Sequence, residues 1–135
     1  VYSSKIRVTL KSNSYTLKKT LIIGASENPT RYSNIAAHRL LEYGHTIEQI
    51  GKKEGKVEGV KIETGMPQLT DIDTVTLYLN PTHQKNYYSY ILNLKPRRII
   101  FNPGTENPEF VALAQQNNIL TEEACTLVLL SIGAY

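Results

Sequence analysis

The stretch with the clearest chemical potential runs from Lys18 to Asn34, K-K-T-L-I-I-G-A-S-E-N-P-T-R-Y-S-N. Thr20-Leu21-Ile22-Ile23 is a short, mostly apolar run of the kind that fills a parallel strand buried on both faces. Gly24 ends the run, Ala25 and Ser26 keep side chains small where the backbone must turn, and Pro29 bends the loop. Arg31 adds a planar cation that can fork onto two phosphate oxygens, with surface pairing to Glu27 as its alternative. Ser33 or Asn34 is placed to cap the helix that follows. A helix start behind such a loop offers unpaired backbone N–H groups and the positive end of a dipole. The pattern therefore points to an anionic, nucleotide-like ligand.

The kind of nucleotide is narrowed by what is missing. The glycine-rich dinucleotide pattern G-x-G-x-x-G is incomplete, because Ser26 and Pro29 stand at its second and third glycines. An NAD site also wants an acid at the end of the second strand, to hold a ribose hydroxyl. Here Ile50-Gly51-Lys52-Lys53 stands in that place. A cation there suits a ribose phosphate, as carried by coenzyme A or by NADP; otherwise the lysines form a solvated loop. Asn80-Pro81 and Asn102-Pro103-Gly104 follow later strands and read either as ordinary strand-end turns or as the shaped rim of a ligand site.

Catalytic constellations do not emerge. His38, His45 and His83 are scattered without metal-ligand spacing. Gly24-Ala25-Ser26 lacks the closing glycine of a nucleophile elbow. Cys125, next to Leu127 and Val128, reads as a buried small hydrophobe, and Glu122-Glu123 as a solvated pair.

The elements that must carry these residues alternate. After the first strand, Ile35, Ala36, Leu40, Leu41 and Tyr43 recur at helical spacing, and Gly44 closes that helix. Thr46–Ile50 alternates and is expected as a second strand near a sheet edge, with short extended pieces around Val57, Val60 and Ile62. A β-branched third strand, Thr74–Leu79, precedes a helix over His83–Leu94 with Tyr87, Tyr90, Ile91 and Leu94 turned inward. Arg98–Phe101 is the fourth strand. A helix opened by Pro108 follows, then a fifth strand at Ile119–Thr121 and an apolar segment, Cys125–Leu130. This order predicts a three-layer α/β domain with five strands, mostly parallel, and a ligand along the carboxyl edge of the sheet.

Size and charge bound the reading. The 135 residues suffice for one core. No apolar run approaches the ~20 residues of a membrane span. A single cysteine fits a reducing cytoplasm. Of 15 basic residues, Lys5, Arg7 and Lys11 lie in the first 17 positions, leaving 15 − 3 = 12 against 12 acids. The body is neutral, so a nucleic-acid surface is not expected. Residues 1–17 are expected to be a leader, non-native or disordered, and 18–135 the domain.

The blocks I-I-G-A-S-E-N-P-T-R-Y-S at 22–33, L-N-P at 79–81, F-N-P-G-T-E-N at 101–107 and E-A-C-T-L at 123–127 resemble the stand-alone CoA-binding domain family. That family is similar to the N-terminal domain of the succinyl-CoA synthetase α subunit, and the resemblance spans Lys18 to Tyr135. It implies a Rossmann-like fold that holds coenzyme A by its ADP part. Gly24, Ala25, Ser26 and Arg31 would cradle the pyrophosphate, with Tyr32 and Ser33 opening the helix beside it. Ile50, Gly51 and Lys52 would flank the adenosine and its 3′-phosphate. Asn80, Pro81, Asn102, Pro103 and Gly104 would line the path toward the pantetheine. Related loops after the second strand often read Asn-Pro, where Gly51-Lys52 stands here. No residue matches the phosphorylated histidine of the synthetases, so the resemblance implies a cytoplasmic binding module for CoA or acyl-CoA. An NADP-linked oxidoreductase or sensor is the alternative, and a protein-interaction module with a vestigial pocket another. A protein partner or a homodimer is compatible with each.

Overall fold

Thr20, Leu21, Ile22 and Ile23 are all fully buried. They lie in the central strand β1 (Thr20–Ala25) of a computed structural model that describes residues 16–135. The expected leader thus falls outside the described residues, apart from Thr16 and Leu17. The chain continues through α1 (Tyr32–Glu42), β2 (Ile47–Gly51), β3 (Gly55–Val57), β4 (Val60–Glu63) and β5 (Thr74–Leu77). It then forms α2 (Pro81–Gln84), a 3-10 turn (Lys85–Tyr87), α3 (Tyr88–Leu94), β6 (Arg98–Phe101), α4 (Pro108–Gln116), β7 (Leu120–Glu123) and α5 (Thr126–Ser131).

The strands lie in the order β3-β4-β2-β1-β5-β6-β7, and all pairs are parallel except β3 with β4. Side-chain alternation along β1 divides the core. Leu21 and Ile23 pack with Ile91, Phe110 and Ala114, under α3 and α4. Ile22 packs with Ala37, Leu40 and Leu130, under α1 and α5. The result is a three-layer, Rossmann-like α/β fold with a mostly parallel sheet. Connections run from β1 outward to β2 on one side, and later from β5 outward to β7 on the other. The gap between the carboxyl ends of β1 and β5 is therefore the place where strand order reverses. Among the described residues no helix is long and apolar enough to cross a membrane.

Seven strands form where five were expected. The short pieces around Val57 and Val60 close into a hairpin through Glu58 and Gly59, both with positive φ (+50° and +80°). Its second arm, β4, pairs with β2. This moves β2 from the expected edge to the interior. Its alternation misled because Gln49 is a buried polar residue: it is 2% exposed, and its Nε2 donates to the Val60 carbonyl at 3.1 Å.

The helix expected over His83–Leu94 is interrupted by the 3-10 turn, which carries Tyr87. Of its predicted inward stripe, Ile91 alone is fully buried, with Tyr87, Tyr90 and Leu94 half-buried around it. Cys125 is half-buried at the start of α5 instead of enclosed in the core.

Candidate functional site

A cleft of about 710 Å³ opens at the strand-order reversal, within the size range of small-molecule sites. Its floor is the end of β1 and the loop behind it. Gly24 has φ +99°, which favours glycine, and a Cβ there would stand 3.0 Å from the Tyr78 backbone. Only glycine lets this loop lie against the end of β5.

The loop is shaped by its own side chains. Ser26 Oγ accepts the Asn28 N–H at 3.0 Å, and Asn28 Oδ1 accepts both the N–H and the hydroxyl of Thr30. Asn34 Nδ2 donates to the Ser26 carbonyl at 2.9 Å, tying the loop to the helix it feeds. Neither Ser33 nor Asn34 caps α1, as the sequence suggested. Both are buried inside its first turn, and Arg31 stands at the N-cap.

That arrangement has chemical consequences. The start of α1 has no side-chain cap and no acid in its first turn. Its dipole end and early N–H groups are left for an anion. Arg31 is exposed on the cleft wall and makes no ion pair among the described residues. Glu27, its expected alternative partner, reaches instead to the Lys56 N–H, with Oε2 at 2.8 Å.

Of the site residues expected from sequence, the structure brings Gly24, Ala25, Ser26, Arg31, Ile50, Gly51, Lys52 and Asn80 to the cleft wall. Tyr32, Ser33, Pro81, Asn102, Pro103 and Gly104 do not line it. Tyr32 is 71% exposed beside the cleft, and Ser33 is enclosed. Asn80 and Pro81 are the N-cap and first residue of α2, with Asn80 Oδ1 accepting the His83 N–H.

Asn102 corrects the rim expected at 102–104. It is 2% exposed and fully used: Nδ2 donates to Thr76 Oγ1 and the Leu77 carbonyl, and Oδ1 accepts the Thr126 N–H. It bolts β5, β6 and α5 together. Gly104, with φ +92°, serves its own turn, donating its N–H to Glu106 Oε1.

The far wall comprises Tyr78, Leu79, His83, Asn86 and Tyr87, which the sequence reading did not assign to the site. The signal was the Asn80-Pro81 helix start, which turns α2 and the 3-10 turn across the end of β5. Burial pushes the Tyr78 phenol up to about 12, only partly offset by the Thr126 and Thr76 hydroxyls.

A second cavity of about 500 Å³ lies at the opposite, amino-terminal edge of the sheet. In it Arg97 pairs with Asp73 at 3.1 Å and Arg98 with Glu122 at 3.0 Å, while Arg98 stacks over the Tyr135 ring at 4.4 Å; Lys18, on the same wall, has no acidic partner among the described residues. Two ion pairs thus close this edge of the sheet.

Comparisons with known proteins place this geometry. A family model described as CoA binding domain matches residues 18–131. A crystal structure of an uncharacterized protein shares 48% identity over 89% of this chain and 99% of its own, with a TM-score of 0.87. A hypothetical protein from Pyrococcus horikoshii OT3 shares 24% identity over 85% of this chain and 82% of its own, with a TM-score of 0.77. A protein from Thermus thermophilus, cell-free ID.343, shares 17% identity over 88% of this chain and 91% of its own, with a TM-score of 0.72. The last two show the fold alone. No match was found among curated proteins.

Proposed function

Because the chain belongs to the CoA-binding domain family, matched over residues 18–131, we propose that its cleft holds coenzyme A or an acyl-CoA by the ADP end. The protein acts as a binding module of the cytoplasm, without catalysis of its own. A small-molecule nucleotide partner fits that family.

One observation carries the placement of the ligand. Arg31, at the N-cap of α1, whose start no side chain caps, shares one cleft with Lys52 and Lys53 at the point where strand order reverses. The pyrophosphate would lie on Gly24–Ser26 and the α1 amides, with Arg31 binding two oxygens. Lys52 would meet the ribose phosphate, with Ile50 and Gly51 beside the adenosine. Asn80 and the ring of Tyr87 would border the pantetheine.

The test is a thermal-shift panel of CoA, acetyl-CoA, NADP, NAD and ATP. A ligand at 100 times its Kd stabilises the fold by about 2.7 kcal/mol, a rise of several degrees in a domain of this size. CoA should raise the midpoint and NAD should not. Arg31→Ala should abolish most of the CoA-induced rise while leaving the ligand-free midpoint nearly unchanged. A rise with NADP but not CoA would assign the lysines to a 2′-phosphate. No rise with any of them would overturn the reading and point to a partner protein over a vestigial pocket.

A further inference from the structure

Glu27 is an acid inside a loop built to receive an anion, and by charge alone it weakens that loop. Its placement gives the compensation. The carboxylate crosses from the loop behind β1 to the start of β3, at the end of the loop behind β2, where Oε2 accepts the Lys56 N–H at 2.8 Å. Gly55, immediately before, leaves room for it: a Cβ there would stand 2.7 Å from that same oxygen. At the other end of the loop, a Cβ on Gly51 would run into the Ala25 carbonyl oxygen, where the β1–β2 register shifts. The loop 51–55 is thus pressed against the loop behind β1 at both ends. Between those anchors stand Lys52 and Lys53, exposed on the cleft wall and without ion pairs among the described residues.

We propose that Glu27 is a positioning residue, a latch that fixes the lysine-bearing loop over the phosphate end of the ligand, and that position 55 is glycine to admit it. This rests on the CoA reading above. A flexible loop carrying two lysines must be ordered when a phosphate arrives, and that ordering opposes binding. A loop already fastened by Glu27 presents its ammonium groups in place. The latch and simple electrostatics therefore predict opposite signs. Removing the negative charge of Glu27 should tighten anion binding by Coulomb's law, whereas removing the latch should weaken it.

The experiment measures CoA affinity by calorimetry and, without ligand, amide hydrogen exchange at Lys56 in the full chain. Glu27→Ala should weaken CoA about tenfold, the scale of one lost charge-assisted hydrogen bond, and speed exchange at Lys56. Glu27→Gln keeps an acceptor and loses the charge, so it should bind CoA at least as tightly as wild type, with Lys56 protected. Gly55→Ala displaces the carboxylate while leaving its charge, and should reproduce the Glu27→Ala loss. Adding Glu27→Ala to it should cost nothing further. Glu27→Ala protein that binds CoA as tightly as wild type overturns the latch. Wild-type protein with no affinity for CoA overturns the ligand reading instead, and the Lys56 exchange pattern then decides the latch contact alone.

Discussion

Lys18 donates its backbone N–H to Nδ1 of His45 at 2.9 Å, a bond that only a neutral imidazole can accept. The surroundings enforce that state. Burial holds the His45 pKa below its ordinary value, the Lys18 and Arg98 charges add to the effect, and Asp73 opposes it. Because the folded pKa lies below the unfolded one, the unfolded chain takes the proton first as pH falls. The stability tied to neutral His45 is complete above about pH 6.5 and is lost as pH drops from there toward the folded pKa. His45→Asn places an acceptor near the position of Nδ1 and removes the titration. Its thermal midpoint should therefore change less than that of wild type between pH 7 and 5.5, as read by circular dichroism. Equal slopes would assign the acid sensitivity elsewhere.

At the scale of elements, the far wall of the cleft depends on a residue that never touches it. Gln84 is fully buried where α2 ends, and its Nε2 donates to the carbonyls of Leu79 and Thr105, both at 2.8 Å. Its Oε1 accepts from Asn107 Nδ2 at 2.9 Å, while Asn107 Oδ1 caps α4 through the Phe110 N–H. The loops behind β5 and β6 are thus clamped by two side-chain amides. Gln84→Leu fills similar space but leaves two carbonyls and an amide short of partners. It should cost on the order of 2–4 kcal/mol in urea unfolding, and a loss below about 1 kcal/mol would show that water replaces the clamp. Such ties explain what was legible in the sequence. Thr20–Ile23, Thr74–Leu77 and Arg98–Phe101 were readable because burial on both faces selects unbroken runs. The floor of the cleft was readable because Gly24 and its small neighbours answer a local backbone need. Asn102 and Gln84 were not, because all their side-chain partners but the Leu79 carbonyl lie 21 to 26 positions away and their types are also those of ordinary turns and helix surfaces.

At the scale of the molecule, core and charge are divided along the chain in different ways. Among the described residues the apolar core lies between Leu21 and Leu130, and Leu17 is 62% exposed. The net charge of +3 equals the three cations Lys5, Arg7 and Lys11, since the remaining 12 basic residues balance 12 acids. The cations proposed to bind ligand, Arg31 and Lys52, therefore work by local placement in a neutral domain, and bulk attraction of polyanions belongs to the first 17 residues. Deleting residues 1–17 separates the two. The shortened chain should keep its thermal midpoint within about 4 °C, the change expected for roughly 1 kcal/mol in a domain of this size. It should also keep the full CoA-induced rise, while its retention on a polyanion column falls. A larger drop in midpoint would mean that the folding unit begins before Lys18. A lost CoA response with an unchanged midpoint would instead bring the first 17 residues into the ligand's electrostatics, which a cleft at the carboxyl edge of the sheet does not require.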